Sequence, residues 1–154
     1  MCWPSLRAIE RRSYDATLRS ANLGELSTAT AAPMVLIVED DPETRHFYQS
    51  IFEQGGFRIE QAHNGLQALE KAIEACPDLI LTDIAVPGID GIELCRRLRA
   101  DARTHSIPVL AVTGYGDRSY PDRVIGAGAN QVLIKPCSPD VLISEVRRLL
   151  ALKV

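Results

Sequence analysis

From position 34 onward, short apolar runs alternate five times with segments whose apolar residues recur at helical spacing. The runs are MVLIV, FRIEQA, DLILTD, IPVLAVTG and NQVLIKP. Most are apolar throughout, which is typical of strands in a parallel sheet that helices cover on both faces. Since strand–helix–strand crossovers are right-handed, the alternation predicts an α/β fold with a doubly wound parallel sheet. FRIEQA alternates and is expected to be a less buried strand.

The helical segments carry start signals. Asp41 before Pro42, and Ser138 before Pro139, each place a capping acceptor ahead of a proline that fits the first helical turn. Asn64 is the predicted cap of the second helix. GIELCRRLRA is the third helix, SYPDRVIGAGA a weaker fourth, and SPDVLISEVRRLLAL an amphipathic fifth. The first helix closes on a glycine pair, and its apolar positions are Phe47, Ile51 and Phe52.

Composition narrows the class of protein. Hydrophobic residues make up 46% of the chain and charged residues 24%, a balance typical of a soluble globular protein. The formal net charge of −3, without a long run of Lys and Arg, argues against a nucleic-acid-binding module. No apolar run approaches the roughly 18 residues of a membrane span. Because no CxxC or Cys/His cluster occurs, we expect reduced thiols in a cytoplasmic protein at Cys2, Cys76, Cys95 and Cys137.

Residues 1–33 differ from the rest of the chain. They show one weak helical pattern and end in LSTATAAP, a stretch of small residues that is typical of a linker. We interpret 1–33 as an N-terminal extension, helical in part or disordered, and 34–154 as one domain. Because the strand–helix repeats after Met34 are complete, the extension is predicted to be dispensable for folding.

Polar residues follow the apolar runs at the point where each strand is predicted to end. Glu39 and Asp40 follow the first strand, Asp83 the third, Thr113 the fourth and Lys135 the fifth. Carboxyl ends of parallel strands meet at one edge of a sheet, where ligands of such folds bind. The fold is therefore expected to gather carboxylates, a hydroxyl and an ammonium group in one shallow cleft. The next acid, Asp41, is interpreted as a helix cap only.

The chemistry of such a cleft is restricted. Neighbouring carboxylates repel one another and raise each other's pKa, and a hard divalent cation removes this conflict. Mg²⁺ suits oxygen ligands and keeps open positions that a phosphoryl group can occupy. Lys135 supplies a positive charge for a phosphate oxygen, and Thr113 a hydroxyl donor. Asp83 is then the candidate nucleophile, because carboxylates form aspartyl-phosphates.

Four segments together resemble the receiver domain of two-component response regulators: the acids of VLIVEDD, the acceptor in LTDIAVPGIDG, the hydroxyl of AVTG and the lysine of LIKP. The resemblance covers about residues 34–153. It implies a flavodoxin-like receiver fold with five helices and five strands in the order 2-1-3-4-5. A cis peptide bond between Lys135 and Pro136 is also implied. The metal ligands that it implies are Glu39, Asp40, Asp83 and the carbonyl of Ala85.

By this resemblance, Asp83 accepts a phosphoryl group from a histidine kinase or a histidine phosphotransfer protein, with Mg²⁺ as cofactor. A stand-alone response regulator is expected, since there is no room for an output domain after Val154. We do not expect an enzyme beyond its own phosphoryl transfer and dephosphorylation. Signalling is expected through phosphorylation-dependent contact with a downstream target protein, without nucleic acid or membrane as a partner.

Two positions depart from the family pattern. Val132 stands where a switch aromatic is common, and Val86 replaces the methionine of the usual Met-Pro turn. The first departure keeps open an alternative, a degenerate receiver that binds partners without phosphorylation. Ala85 and Tyr115 border the path of an attacking water in receivers, so a long-lived phosphorylated state is expected.

Two other classes with a similar fold fit less well. A hydrolase of the haloacid dehalogenase type needs a second acid two residues after its nucleophile, where this chain has Ala85. A flavodoxin-like FMN carrier needs a Ser/Thr/Gly phosphate loop after the first strand. The segment EDDPET in that place would repel a phosphate.

Overall fold

Five strands form one parallel sheet in the order β2-β1-β3-β4-β5. The computed structural model describes residues 31–114 and 119–152. The strands are β1 (Met34–Val38), β2 (Arg58–Ala62), β3 (Leu79–Asp83), β4 (Val109–Thr113) and β5 (Gln131–Ile134). The helices are α1 (Pro42–Gln54), α2 (Gly65–Ala75), α3 (Gly91–Ala100), α4 (Tyr120–Gly126) and α5 (Pro139–Ala151). The predicted doubly wound fold and its strand order are confirmed.

The sheet separates two hydrophobic cores because successive side chains of a strand point to opposite faces. Alternate residues of β1 show this directly, since Val35 and Ile37 face one core and Leu36 and Val38 the other. We call the first the α1/α5 core. Its helix residues are Tyr48, Phe52, Leu142, Val146 and Leu149. The other core lies under α2, α3 and α4 and includes Ala68, Ala72, Leu94, Leu98 and Val124.

The predicted helix caps are present. Asp41 accepts a hydrogen bond from the backbone N–H of Thr44, and Asn64 accepts one from Gln67. Such bonds satisfy N–H groups that have no partner within the helix. Asp90 caps α3 and Ser138 caps α5 in the same way.

The buried face of α1 differs from the predicted one. Phe47 is 48% exposed, whereas Tyr48 and Phe52 are buried and Ile51 is half-buried. Residues three and four apart share a helix face, so Ile51 can pair with either Phe47 or Tyr48. Phe52 decides between them, because it lies four residues from Tyr48 and five from Phe47.

Helix α4 is shorter than the segment SYPDRVIGAGA. It ends at Gly126, and the chain then turns through Gly128, whose φ of +118° is in a region that side chains with a Cβ rarely adopt. This turn directs the chain into β5 and thereby places Lys135 beyond the end of that strand.

The predicted boundary at Met34 lies close to the first contacts of the sheet. The carbonyl of Pro33 accepts a hydrogen bond of 2.9 Å from the Arg58 N–H, and the carbonyl of Ala32 accepts one of 2.7 Å from Arg58 Nε. Residues 1–30 lie outside the described ranges, so the interpretation of 1–33 as an extension stays a prediction. No helix in the described parts of the chain is both long enough and apolar enough to cross a membrane.

Candidate functional site

Three of the predicted site residues meet at the carboxyl edge of the sheet. Asp83 is the last residue of β3, and its Oδ2 accepts a hydrogen bond of 2.7 Å from Lys135 Nζ. The same ammonium lies 3.7 Å from Oε2 of Glu39, which follows β1. The second oxygen of Asp83, Oδ1, accepts a bond of 3.1 Å from the Ala85 N–H. An ammonium group therefore bridges two carboxylates that come from separate strands.

Lys135 is placed by the pairing of the last two strands. Its backbone N–H donates to the carbonyl of Thr113 at 2.7 Å, and the bond between Lys135 and Pro136 is cis, as the family resemblance implies. Burial alone would lower the pKa of Lys135. The hydrogen bond to Asp83 and the neighbouring negative charge outweigh it, so the pKa is raised. Lys135 is thus held in its charged form.

Glu39 is the buried acid of the site, and one of its two oxygens has no hydrogen-bond partner. It is 2% exposed; its Oε1 accepts a hydrogen bond of 3.1 Å from the Asp41 N–H. Its Oε2 has no hydrogen-bond partner, because 3.7 Å to Lys135 Nζ is an ion-pair distance but too long for a hydrogen bond. Burial is the main cause that raises the pKa of Glu39 to about 7, and the charge of Asp83 adds to it. One oxygen of this buried carboxylate therefore has an ion pair with Lys135 but no hydrogen bond.

Asp40 and Asp41 are both exposed but differ in role. Asp41 Oδ2 accepts hydrogen bonds from Thr44 N at 2.8 Å and from Thr44 Oγ1 at 2.6 Å, and these bonds lower its pKa. The interpretation of Asp41 as a cap is confirmed. Asp40 adjoins Glu39 and adds to the raised pKa of that acid. Its backbone carbonyl accepts a bond of 3.3 Å from Arg45.

Thr113 and Val132 lie around the predicted cleft on β4 and β5. Thr113 is fully buried at the end of β4. Val132 is half-buried and packs against the core under α2, α3 and α4, so an aliphatic side chain occupies the place of the switch aromatic. Tyr115, which we expected to border a water path, lies outside the described residues.

Tyr48 is a buried residue of α1 whose phenol is affected by the charges of the site, which the sequence did not reveal. It is 5% exposed, and burial raises the pKa of its phenol to about 12. After burial, Lys135 acts on this pKa by lowering it, and the Cys137 thiol and the carboxylates of Glu39 and Asp83 raise it. The spacing of apolar residues in α1 could have indicated Tyr48 only if the buried face of that helix had been assigned correctly.

Cys95 and Cys137 are not activated. Burial raises the pKa of the buried Cys95 to about 11, and burial also raises the pKa of the half-buried Cys137 against the effect of Lys135. A high pKa keeps a thiol protonated and unreactive. This agrees with the interpretation of Cys95 as a core residue and of Cys137 as an inert thiol.

The side-chain oxygens of Glu39 and Asp83 are the type of ligand that a hard divalent cation binds. Within residues 31–114 and 119–152, no group of three or more His, Cys, Asp or Glu side chains is gathered so as to hold a metal. The carboxylates of Glu39 and Asp83 at the ends of two strands, with the backbone carbonyl of Ala85 after β3, are nevertheless the kind of oxygen donors that Mg²⁺ prefers. The buried Glu39 Oε2, which has no hydrogen bond, has the partner deficit that a cation would correct. Asp40 as a further ligand stays a prediction.

Residues 35–147 match the response regulator receiver domain family, and the chain belongs to that family. It is 36% identical over 118 residues to the DNA-binding dual master transcriptional regulator RpaA of Synechocystis, a match that covers 77% of this chain and 49% of RpaA. It is 34% identical to the polar-differentiation response regulator DivK of Brucella anthropi over 113 residues. That match covers 73% of this chain and 92% of DivK.

One of the similar solved structures holds a magnesium ion in its own active site cleft. The receiver domain of a sensor histidine kinase from Pseudomonas aeruginosa, with a magnesium ion coordinated in its active site cleft, superposes with a TM-score of 0.73 at 27% identity. That match covers 79% of this chain and 99% of the other. By contrast, the chain spans about half the length of several curated relatives, RpaA among them.

Proposed function

We propose that Asp83 accepts a phosphoryl group from the phosphohistidine of a histidine kinase or of a histidine phosphotransfer protein. The observation that carries the proposal is the Lys135 ammonium, which lies 2.7 Å from Asp83 and 3.7 Å from Glu39 at the edge of a receiver-family sheet. A nucleophile, a fixed positive charge and a second carboxylate able to hold a metal ion are parts that phosphoryl transfer uses.

In the transfer step, an oxygen of the Asp83 carboxylate forms a bond to phosphorus as the P–N bond of the donor breaks. The electron pair of that bond returns to the imidazole nitrogen, which takes up a proton. The product is a mixed anhydride on Asp83, and the donor histidine is neutral again. Little covalent chemistry is left to the protein, so positioning and charge stabilisation supply the rate.

Lys135 has the central supporting role. Before transfer its ammonium holds Asp83 by a charge-assisted hydrogen bond, and afterwards the same charge pairs with a phosphoryl oxygen. Thr113, next to Lys135 through the backbone, supplies a hydroxyl for a second phosphoryl oxygen. Mg²⁺, held by Glu39, Asp83, the Ala85 carbonyl and Asp40, would neutralise the negative charge that collects in the cleft.

The phosphorylated receiver acts, in this proposal, through contact with a target protein in the cytoplasm and turns over only its own aspartyl-phosphate. The likeness to DivK supports this mode, because the match spans 92% of that response regulator. The likeness to RpaA is limited to about half of that DNA-binding regulator, so we do not propose DNA binding for this chain on that basis.

Intact-mass spectrometry after treatment with acetyl phosphate and Mg²⁺ tests the assignment. We expect one added phosphoryl group, which is absent after chelation with EDTA and absent in Asp83→Asn. Asp122→Asn, which removes an exposed acid from α4, serves as the matched control and should label like the wild type. Labelling of Asp83→Asn at the wild-type level would refute the assignment.

A further inference from the structure

The acid loop, which we define as residues 39–41, joins β1 to α1 and carries two of the acids assigned to the metal. The strand pairing of β1 ends before this loop. The hydrogen bonds of α1 begin with the one of 2.9 Å that the Asp41 carbonyl accepts from the Arg45 N–H. The carbonyls of Glu39 and Asp40 lie between the two elements and therefore need a donor from elsewhere.

The side chain of Arg45 is that donor. Its Nη1 donates hydrogen bonds to the carbonyl of Glu39 at 2.8 Å and to the carbonyl of Asp40 at 3.3 Å. The side chain is half-buried and comes from near the start of α1, the helix into which the loop leads. Since hydrogen bonds from a charged donor are the stronger ones in proteins, the guanidinium ties both carbonyls to this helix.

These two bonds restrict how Asp40 leaves the chain. A peptide group is planar, so a held carbonyl oxygen restricts the plane of the whole group. The carbonyls of Glu39 and Asp40 belong to the two peptide groups on either side of Asp40. Because both planes are held, the backbone dihedral angles of Asp40, and with them the direction of its Cβ, are restricted.

The second of these peptide groups also holds the side chain of Glu39. Its oxygen is the Asp40 carbonyl that Arg45 binds, and its N–H is that of Asp41, which donates to Glu39 Oε1 at 3.1 Å. Oε1 is thereby occupied, while Oε2 of the same buried acid has no hydrogen bond. One peptide group thus connects the guanidinium to the oxygen that Glu39 has left for a cation.

We propose that Arg45 is a positioning residue for the divalent-cation site. By holding the two peptide groups of the acid loop, it sets the orientation in which Glu39 and Asp40 offer their carboxylates to Mg²⁺. Its Nη1 binds backbone carbonyls, so it acts through the loop. The inference rests on the proposed function, which assigns Mg²⁺ to these acids.

The charge of Arg45 and its hydrogen bonds act on Mg²⁺ binding in opposite directions. A positive charge close to a cation site repels the cation, so removal of the charge alone should tighten binding. Loss of positioning should weaken binding instead, because the acids are no longer held in place. The sign of the change in affinity therefore separates the two effects.

Mg²⁺ affinity is measured without a phosphodonor, from the dependence of the free energy of urea unfolding on Mg²⁺ concentration. Arg45→Met should weaken the affinity by about tenfold, since loss of a residue that supports metal ligands costs this much or more. Arg58→Met is the matched control and should leave the affinity unchanged. The Arg58 guanidinium also donates to a backbone carbonyl, that of Ala32, but at the start of β2 and hence at the opposite edge of the sheet.

A second variant keeps the charge of Arg45. Arg45→Lys replaces the planar guanidinium fork by a point charge, so it should weaken Mg²⁺ affinity less than Arg45→Met does, in the same direction. Labelling by acetyl phosphate gives a further measure. Folded Arg45→Met should label Asp83 slowly at low Mg²⁺ but at close to the wild-type rate at saturating Mg²⁺, because the role of Arg45 is confined to the cation.

Unchanged or tighter Mg²⁺ binding in folded Arg45→Met would overturn the inference. A labelling rate that stays low at saturating Mg²⁺ would also overturn it, and so would a wild type that Mg²⁺ does not stabilise. If Arg45→Met does not fold, Arg45→Lys decides, and wild-type affinity in that variant would overturn the inference. A wild type that binds Mg²⁺ but does not label at Asp83 would instead refute the proposed function.

Discussion

Two half-buried cations, Arg99 and Lys135, differ in the charge of the groups around them. The Arg99 guanidinium donates to the carbonyls of Gly128, Ile107 and His105 at 2.9, 2.7 and 3.1 Å, and to Asn130 Oδ1 at 2.8 Å. Every one of these acceptors is neutral. Lys135 instead bridges two carboxylates, one of which, Glu39, keeps an oxygen without a hydrogen bond.

The difference separates a structural network from a functional one. The acceptors around Arg99 come from the loop after α3 and the loop after α4, so the guanidinium ties these two loops to the end of α3. Networks whose polar groups are all paired stabilise one conformation. Two acids that share one ammonium contribute less to the stability of the fold than fully paired groups do. Clusters of this kind occur where charge is needed for chemistry.

The largest effect on stability is therefore expected at Arg99, away from the site. Arg99→Met should lower the free energy of unfolding by about 3 kcal/mol, because several acceptors lose a charged donor together. Arg103→Met is the matched control. Arg103 is exposed and pairs with Asp101, so its loss should change the free energy of urea unfolding much less than the loss of Arg99 does. Equal losses in both variants would contradict the structural role of Arg99.

A smaller effect, of opposite sign, is expected at Glu39. In EDTA, Glu39→Gln should raise the free energy of unfolding by about 1 kcal/mol, because a poorly compensated buried charge is removed. The same variant should lose the stabilisation that saturating Mg²⁺ gives the wild type. Urea unfolding with and without Mg²⁺ measures both, and Glu74→Gln, an exposed acid on α2, is the control. A clear loss of stability in EDTA would show that Glu39 is a structural acid.

The smallest effects should distinguish Asp40 from Asp41. Asp41→Ala removes a helix cap and should lower the free energy of unfolding while it leaves Mg²⁺ affinity close to that of the wild type. Asp40→Ala should do the reverse, with a weaker affinity and almost unchanged stability. Mg²⁺ titration together with urea unfolding gives both values. If Asp41→Ala loses as much affinity as Asp40→Ala, the ligand is assigned to the wrong acid.

Local signals explain what the sequence could predict. The caps Asp41, Asn64 and Ser138 act within one helical turn, and their residue types alone identify them. Asp83 and Lys135 could be predicted together because the fold class fixes where parallel strands end. Their contact then required only that the strand order be right.

Other residues depend on contacts that local sequence does not encode. Arg99 is one of several arginines around α3, and its acceptors lie up to 31 residues away at Asn130. The choice between Phe47 and Tyr48 for the buried face of α1 depends on how the helix is rotated against the sheet. Spacing alone permits both, and with Phe47 assigned to that face the burial of Tyr48 could not be predicted.

The contrast between Lys135 and Arg99 is tested most directly by phosphoryl incorporation in Lys135→Met and Arg99→Met. Each variant is treated with acetyl phosphate and Mg²⁺ under conditions in which it is folded, and labelling at Asp83 is measured by intact mass and peptide mapping. The account predicts that Lys135→Met folds but labels very slowly, while Arg99→Met is less stable but labels at close to the wild-type rate. Normal labelling of folded Lys135→Met, or a loss of labelling in folded Arg99→Met, would contradict it.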